Sequence, residues 1–134
     1  MRRAISIVAA LALGAGTPCA LAHHAAPLPD RVMVRGAEYD LTLSKQQLRP
    51  GRAIVQFVNG GEDAHDLKLQ RIGPDGAPTG PELAVGVVAP GEYQNLDTRL
   101  QPRSTYRLWC SLSDHAQRGM EATLQTTKKK KKRN

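Results

Sequence analysis

The chain has 134 residues, with 19 Lys and Arg against 12 Asp and Glu and a formal net charge of +7. Six of these cations are consecutive, at residues 128–133, and two more are Arg2 and Arg3. Without these eight cations the net charge of the chain is −1. The body of the protein is therefore nearly neutral. With aromatic residues at only 4% and no basic-aromatic face, nucleic-acid binding is excluded as its function.

Residues 1–22 predict a cleaved export signal. Arg2 and Arg3 precede an apolar run at residues 4–15 that is too short to span a bilayer, and Ala20-Leu21-Ala22 provides an A-x-A cleavage site. We expect cleavage after Ala22 and a periplasmic or secreted protein. The 112 residues that follow are enough for one domain with its own core.

We expect residues 23–30 to form a flexible start of the exported chain. His23 and His24 stand at its beginning, where an N-terminal amine and an imidazole can chelate a second metal ion; a flexible polar terminus is the alternative.

Residues 31–127 contain signals for short strands and no long helical period. Apolar residues at 39, 41 and 43 alternate with polar ones, and residues 52–59 are apolar on both faces, which predicts a central strand. Three prolines and three glycines in residues 72–81 predict a surface loop. Further strands are expected at 82–88, 93–100, 104–110 and 120–126. The pattern predicts an all-β, antiparallel sandwich of about seven to eight strands.

The exported chain keeps one cysteine, Cys110, because Cys19 lies in the signal. A lone thiol in an oxidising compartment calls for an explanation: an intermolecular disulfide, a reactive or ligating role, or a buried inert thiol. Cys110, His115 and Met120 follow one another at even spacing. Thiolate, imidazole and thioether ligands together suit copper, and a second imidazole is available at His65.

Strand phase supports this grouping independently, since side chains alternate between the faces of a strand. His65 is in phase with two leucines of its own strand, Cys110 with Tyr106 and Leu108, and Met120 with Leu124. We therefore expect three of the four ligands to point inward. His115 lies in the connecting loop and is not constrained in this way.

The segments Asn59-Gly60-Gly61 and His65-Asp66-Leu67, with the Cys110/His115/Met120 loop, resemble the cupredoxins, the type 1 copper proteins. The likeness spans roughly residues 31–127 and is nearest to bacterial plastocyanin- and azurin-like proteins, with loop spacing similar to that of rusticyanin or sulfocyanin. It implies a Greek-key β-sandwich that holds one Cu(I)/Cu(II) ion through His65, Cys110, His115 and a weak axial Met120.

The resemblance also implies a monomer that is not an enzyme and that shuttles single electrons to a redox partner such as a c-type cytochrome or an oxidase. It implies that Asp66 ties the two ligand loops together and that His115, at the solvent edge, is the point of electron entry. Gly119 is expected to let the chain bend so that Met120 reaches the metal.

Three alternatives use the same residues. The first is a non-redox copper carrier or storage protein, although such proteins favour Met- and His-rich clusters, and the exported chain has only Met33 and Met120. The second is an enzyme with Cys110 as nucleophile and a histidine as base, but this cysteine ends a strand and lacks a helix dipole. The third is a zinc site, which makes little use of a thioether.

The C-terminal tail, residues 128–134, is expected to be disordered because its like charges repel one another. One interpretation is a solubilising extension. The other is electrostatic docking on anionic lipid or on an acidic redox partner. The docking residues would be Lys128, Lys129, Lys130, Lys131, Lys132 and Arg133.

Overall fold

A computed structural model of the protein describes residues 26–128. The predicted signal, His23 and His24, and all of the basic tail beyond Lys128 lie outside the described residues. The described part is built from nine strands: β1 (Asp30–Ala37), β2 (Asp40–Leu43), β3 (Gln47–Leu48), β4 (Gly51–Asn59), β5 (His65–Ile72), β6 (Pro78–Val88), β7 (Tyr93–Leu100), β8 (Thr105–Trp109) and β9 (Glu121–Thr126).

The strands form two sheets that face each other, with strand orders β2-β1-β4-β7 and β3-β9-β8-β5-β6. The all-β sandwich predicted from the sequence is confirmed, but both sheets are mixed rather than purely antiparallel. β1 runs parallel to β4, and β3 runs parallel to β9. The parallel pairs arise because the chain crosses between the sheets. After the β1–β2 hairpin it forms β3 in the other sheet, and it then returns to form β4 beside β1.

β4 is the central strand that its sequence predicts, paired with β1 on one side and β7 on the other. Its residues Ala53, Val55 and Phe57 are fully buried, while Ile54 and Val58 on the opposite face are half-buried. This alternation places one face of β4 against the second sheet, and apolar side chains on both faces stabilise it by burial.

The predicted loop at residues 72–81 is wrong in its extent. Ile72 belongs to β5, and β6 begins at Pro78, so the connection covers only residues 73–77. Prolines interrupt a central strand because they cannot donate to the hydrogen-bond ladder. β6 is an edge strand and tolerates Pro78 and Pro81, although its register with β5 shifts between the pairs Gln70–Glu82 and Ile72–Pro78.

The buried apolar core between the sheets extends to one end of the sandwich, where several strands begin or stop. β5 begins at His65, β8 ends one residue before Cys110, and β9 begins one residue after Met120. All three of these side chains are fully buried. Within residues 26–128, no helix is long and apolar enough to cross a membrane.

Candidate metal centre

Three metal-ligating side chains meet at this end of the sandwich: His65, Cys110 and His115. His65 Nδ1 lies 3.2 Å from His115 Nδ1, and the Cys110 Sγ lies 3.9 Å from His65 Nδ1 and 3.5 Å from His115 Nδ1. A triangle with these sides has a centre about 2 Å from each corner, which is the length of a bond from a transition metal to imidazole nitrogen or thiolate sulfur. The three atoms are therefore spaced to bind one ion.

The fourth predicted ligand, Met120, is fully buried beside this cluster and is tied to it through the backbone. The Met120 N–H donates to the carbonyl of His115 at 3.0 Å, and its carbonyl accepts from the N–H of Cys110 at 3.2 Å. The preceding Gly119 has φ +109°, in the region that favours glycine. This turn directs the chain from the loop of His115 into β9.

Gly36, near the end of β1, makes room for Met120 and was not identified from the sequence. A Cβ added at Gly36 would lie 2.9 Å from Met120 Cε and 2.9 Å from the Phe57 ring. The β1 backbone therefore approaches the thioether side chain more closely than any residue with a Cβ would allow.

The carboxylate of Asp66 joins the two loops that carry His65 and Cys110. Its Oδ1 accepts a hydrogen bond from the Ser111 N–H at 2.6 Å, and its Oδ2 accepts one from the Ser111 hydroxyl. Asp66 is itself buried. The contact joins the start of β5 to the residue that follows Cys110.

Asn59, at the end of β4, holds the loop that leads into His65. Its Nδ2 donates to the carbonyls of Asp63 and Val88 at 2.7 and 2.8 Å, and its Oδ1 accepts from the Gly61 N–H at 2.9 Å. Asn59 is fully buried. The start of β5 is therefore fixed by side-chain bonds rather than by strand pairing alone.

Glu38 contacts His65 directly, a contact that no sequence pattern predicts because 27 residues separate the two. The Glu38 Oε1 lies 2.9 Å from His65 Nε2 and accepts hydrogen bonds from the N–H groups of Glu62 and Asp63 at 2.9 and 2.8 Å. The bond from Asp63 is the largest of the effects that lower the pKa of Glu38 to about 2. Glu38 is therefore a carboxylate at neutral pH.

Burial raises the pKa of the Cys110 thiol, an effect that N–H groups of Asp66 and Leu112 oppose but do not outweigh. The free cysteine is accordingly a protonated thiol, and a metal ion binding to its thiolate would release a proton.

His115 is the outermost of the three, with 9% of its surface exposed against none for His65 and Cys110. Tyr39 packs edge-on against it, with the ring centroids 5.1 Å apart. The Arg118 guanidinium lies 3.5 Å from the centroid of the Tyr39 ring. Tyr39 therefore packs on the histidine that the resemblance places at the solvent edge, and Arg118 packs on Tyr39.

A scan against protein-family models finds no match, and neither does a search of curated proteins. Solved structures do resemble the chain. A dithionite-reduced auracyanin from the photosynthetic bacterium Roseiflexus castenholzii superposes with TM-score 0.59 and 15% identity, covering 75% of this chain and 99% of that one. Auracyanin A, a "blue" copper protein from the green thermophilic photosynthetic bacterium Chloroflexus aurantiacus, superposes with TM-score 0.54 and 15% identity, covering 74% and 99%. Reduced rusticyanin gives TM-score 0.54 and 19% identity, covering 75% and 82%.

At these identities the likeness defines the fold, and the predicted resemblance is confirmed at that level: the protein has the cupredoxin fold. The buried cluster of ligating side chains indicates which kind of metal site this fold holds. Two imidazoles and a thiolate at the corners of a small triangle, with a buried methionine on the same loop, are the donor set of a type 1 copper site.

Proposed function

We propose that the protein binds one copper ion through His65, Cys110 and His115, with Met120 as a weak fourth ligand, and carries single electrons between redox proteins after export. The observation that carries this proposal is the triangle of donor atoms, whose centre lies about 2 Å from two nitrogens and one sulfur. Bound copper supplies one-electron chemistry by alternating between Cu(I) and Cu(II).

The residues around the cluster support electron transfer over catalysis on a substrate. His65 and Cys110 are fully buried, and Tyr39 packs edge-on against His115, which is 9% exposed, so the cluster presents only a narrow edge to the surface. Catalytic metal sites keep an open position for substrate, whereas a closed and rigid site suits a change of charge without a change of ligands.

The hydrogen bonds of Asn59 and Asp66 provide that rigidity. Each joins a ligand-bearing loop to backbone groups, so contacts of the protein itself hold the three donors close together. A pre-formed site reduces the reorganisation that accompanies oxidation and reduction. Burial of two ligands also argues against a carrier that releases its ion readily to a partner.

The primary test is to add Cu(II) to the purified exported chain and record its visible spectrum. We expect an intense thiolate-to-copper charge-transfer band that is lost in Cys110→Ser. Met120→Leu should retain the colour and shift the reduction potential, while the matched control Met33→Leu, on exposed β1 surface, should leave both unchanged. A colourless protein that takes up zinc in preference would overturn the copper assignment.

A second experiment separates electron transfer from copper delivery. The loaded protein is mixed with a reduced c-type cytochrome in one arm and with a copper chelator in the other. An electron carrier is reduced quickly and retains its ion. Slow reduction with rapid loss of copper to the chelator would instead identify a copper carrier.

A further inference from the structure

The turn between β1 and β2 brings a carboxylate against a metal-binding imidazole. Glu38 lies in this turn, and its Oε1 alone meets three groups: the N–H of Glu62, the N–H of Asp63 and Nε2 of His65. Gly61 leaves the space that this carboxylate occupies, since a Cβ there would overlap it. One loop, residues 60–64, therefore supplies both the backbone N–H groups and the space for the contact, and the β1–β2 turn supplies the carboxylate.

The hydrogen bond determines which ring nitrogen of His65 can bind metal. An ionised carboxylate can only accept, so Nε2 must carry the proton that is shared with Glu38. In a neutral imidazole this leaves the lone pair on Nδ1. That atom is the one that lies 3.2 Å from His115 Nδ1 and 3.9 Å from the Cys110 sulfur. Glu38 thus selects the tautomer that presents its donor atom to the other two ligands.

The charge of Glu38 has a second consequence. His65 is fully buried and the Glu38 side chain is 26% exposed, so solvent screens the carboxylate only in part. A negative charge held behind a ligand makes that ligand more basic and stabilises the doubly charged ion more than the singly charged one.

We propose that Glu38 is a positioning residue for His65 that fixes the ring tautomer and raises the preference of the site for Cu(II) over Cu(I). The preference for Cu(II) rests on the proposed function, because it requires that the bound ion be copper. The selection of the His65 tautomer does not rest on the proposed function, since it concerns only the imidazole and the carboxylate.

Glu38→Gln isolates the charge from the hydrogen bonds. All three neighbours of Oε1 donate, so the amide oxygen of glutamine can take its place and keep the contacts. Glu38→Ala removes charge and contacts together. Glu62→Gln is the matched control, because it removes the same charge from an exposed side chain in the adjacent loop.

Affinities for Cu(II) and Cu(I) are measured by chelator competition, together with the midpoint potential. We expect Glu38→Gln to lower the ratio of Cu(II) to Cu(I) affinity about tenfold, which raises a one-electron potential by about 59 mV. Glu38→Ala should weaken Cu(II) binding by about 10- to 100-fold. If Glu38→Gln matches the wild-type protein and the Glu62→Gln control in potential, the charge effect is refuted.

The tautomer is measured in the metal-free protein from the ¹⁵N shifts of the His65 ring. We expect a single tautomer with the proton on Nε2 in the wild-type protein and in Glu38→Gln, and a mixture in Glu38→Ala. A single unchanged tautomer in Glu38→Ala would overturn the positioning role. Should the wild-type protein bind no copper, the proposed function fails, and this measurement still decides whether Glu38 orients His65.

Discussion

The two ends of the β-sandwich are each fixed by a polar side chain that bonds to loop backbone, yet within residues 26–128 a cluster of metal-binding groups is found at one end alone. At the metal end, Asn59 bonds to the loop before β5 and to β6. At the opposite end, Asp30 accepts hydrogen bonds from the N–H groups of Arg31 and Arg49 and from the Lys45 ammonium, at 2.6 to 3.0 Å. Similar hydrogen bonds therefore support the metal site at one end of the sandwich, while at the opposite end they only hold a loop in place.

The ends also differ in charge. At the metal end the carboxylates of Glu38 and Asp66 accept hydrogen bonds from the loops beside His65 and Cys110. Two more acids, at residues 62 and 63, belong to the loop before His65, and two cations, Arg35 and Arg118, lie at the same end. The opposite end has a cavity of about 410 Å³ whose lining contains Asp30 as its one acid among the described residues, beside the cations Arg49, Arg52, Arg99 and Lys128. Changes at the metal end should accordingly affect both stability and the metal site, whereas changes at the opposite end should affect stability alone.

The largest expected effect is that of Asn59→Ala at the metal end. The substitution leaves the buried Val88 carbonyl, the part-buried Asp63 carbonyl and the Gly61 N–H without their partner, and we expect the free energy of unfolding to fall by about 3 kcal/mol. Metal affinity should fall as well, because the loop before His65 is released. Urea unfolding and metal titration measure the two effects. Asn95→Ala, on the exposed face of β7, is the control and should change neither.

Gly36→Ala should have the next largest effect, because its Cβ would overlap Met120 Cε and the Phe57 ring. Overpacking of this kind costs about 1–3 kcal/mol. We expect a lower midpoint of unfolding together with an altered visible spectrum of the loaded protein, since Met120 must move. Gly86→Ala is the comparison, as its Cβ would meet only the Gln94 side chain at 3.9 Å. Equal results for the two variants would show that Gly36 has no special relation to the site.

Asp30→Asn should have the smallest effect and should leave the metal site unchanged. Burial acts to raise the pKa of Asp30, but the hydrogen bonds from Arg49, Lys45 and Arg31 outweigh it and lower the pKa to about 2. The stabilisation is therefore complete above the ordinary value near 3.8 and is lost as the pH falls toward 2. We expect a contribution on the order of 1 kcal/mol at neutral pH.

Unfolding curves of the wild-type protein and Asp30→Asn between pH 7 and pH 2 test this prediction, with the difference shrinking below pH 4. Asp97→Asn, which breaks an exposed ion pair with Arg52, should cost less. A change in the metal spectrum of Asp30→Asn would contradict the separation of the two ends.

Much of the fold could be predicted because burial follows the period of the strands. Cys110 with Tyr106 and Leu108, and Met120 with Leu124, are buried in the phase that the sequence predicts. The extent of β6 could not be predicted in this way. Its prolines suit a loop by local preference, and only the position of β6 at the sheet edge makes them compatible with a strand.

The sequence by itself determined the all-β class, the central position of β4 and a set of ligating residues whose side chains point inward, because alternation along each strand is a local property. Tertiary structure alone decided the parallel pairings of β1 with β4 and β3 with β9, the space that Gly36 leaves for Met120, and the meeting of Glu38 with His65. These contacts join residues far apart in the chain, so they depend on how the sheets pack and on the register of the strands, which local preference does not specify.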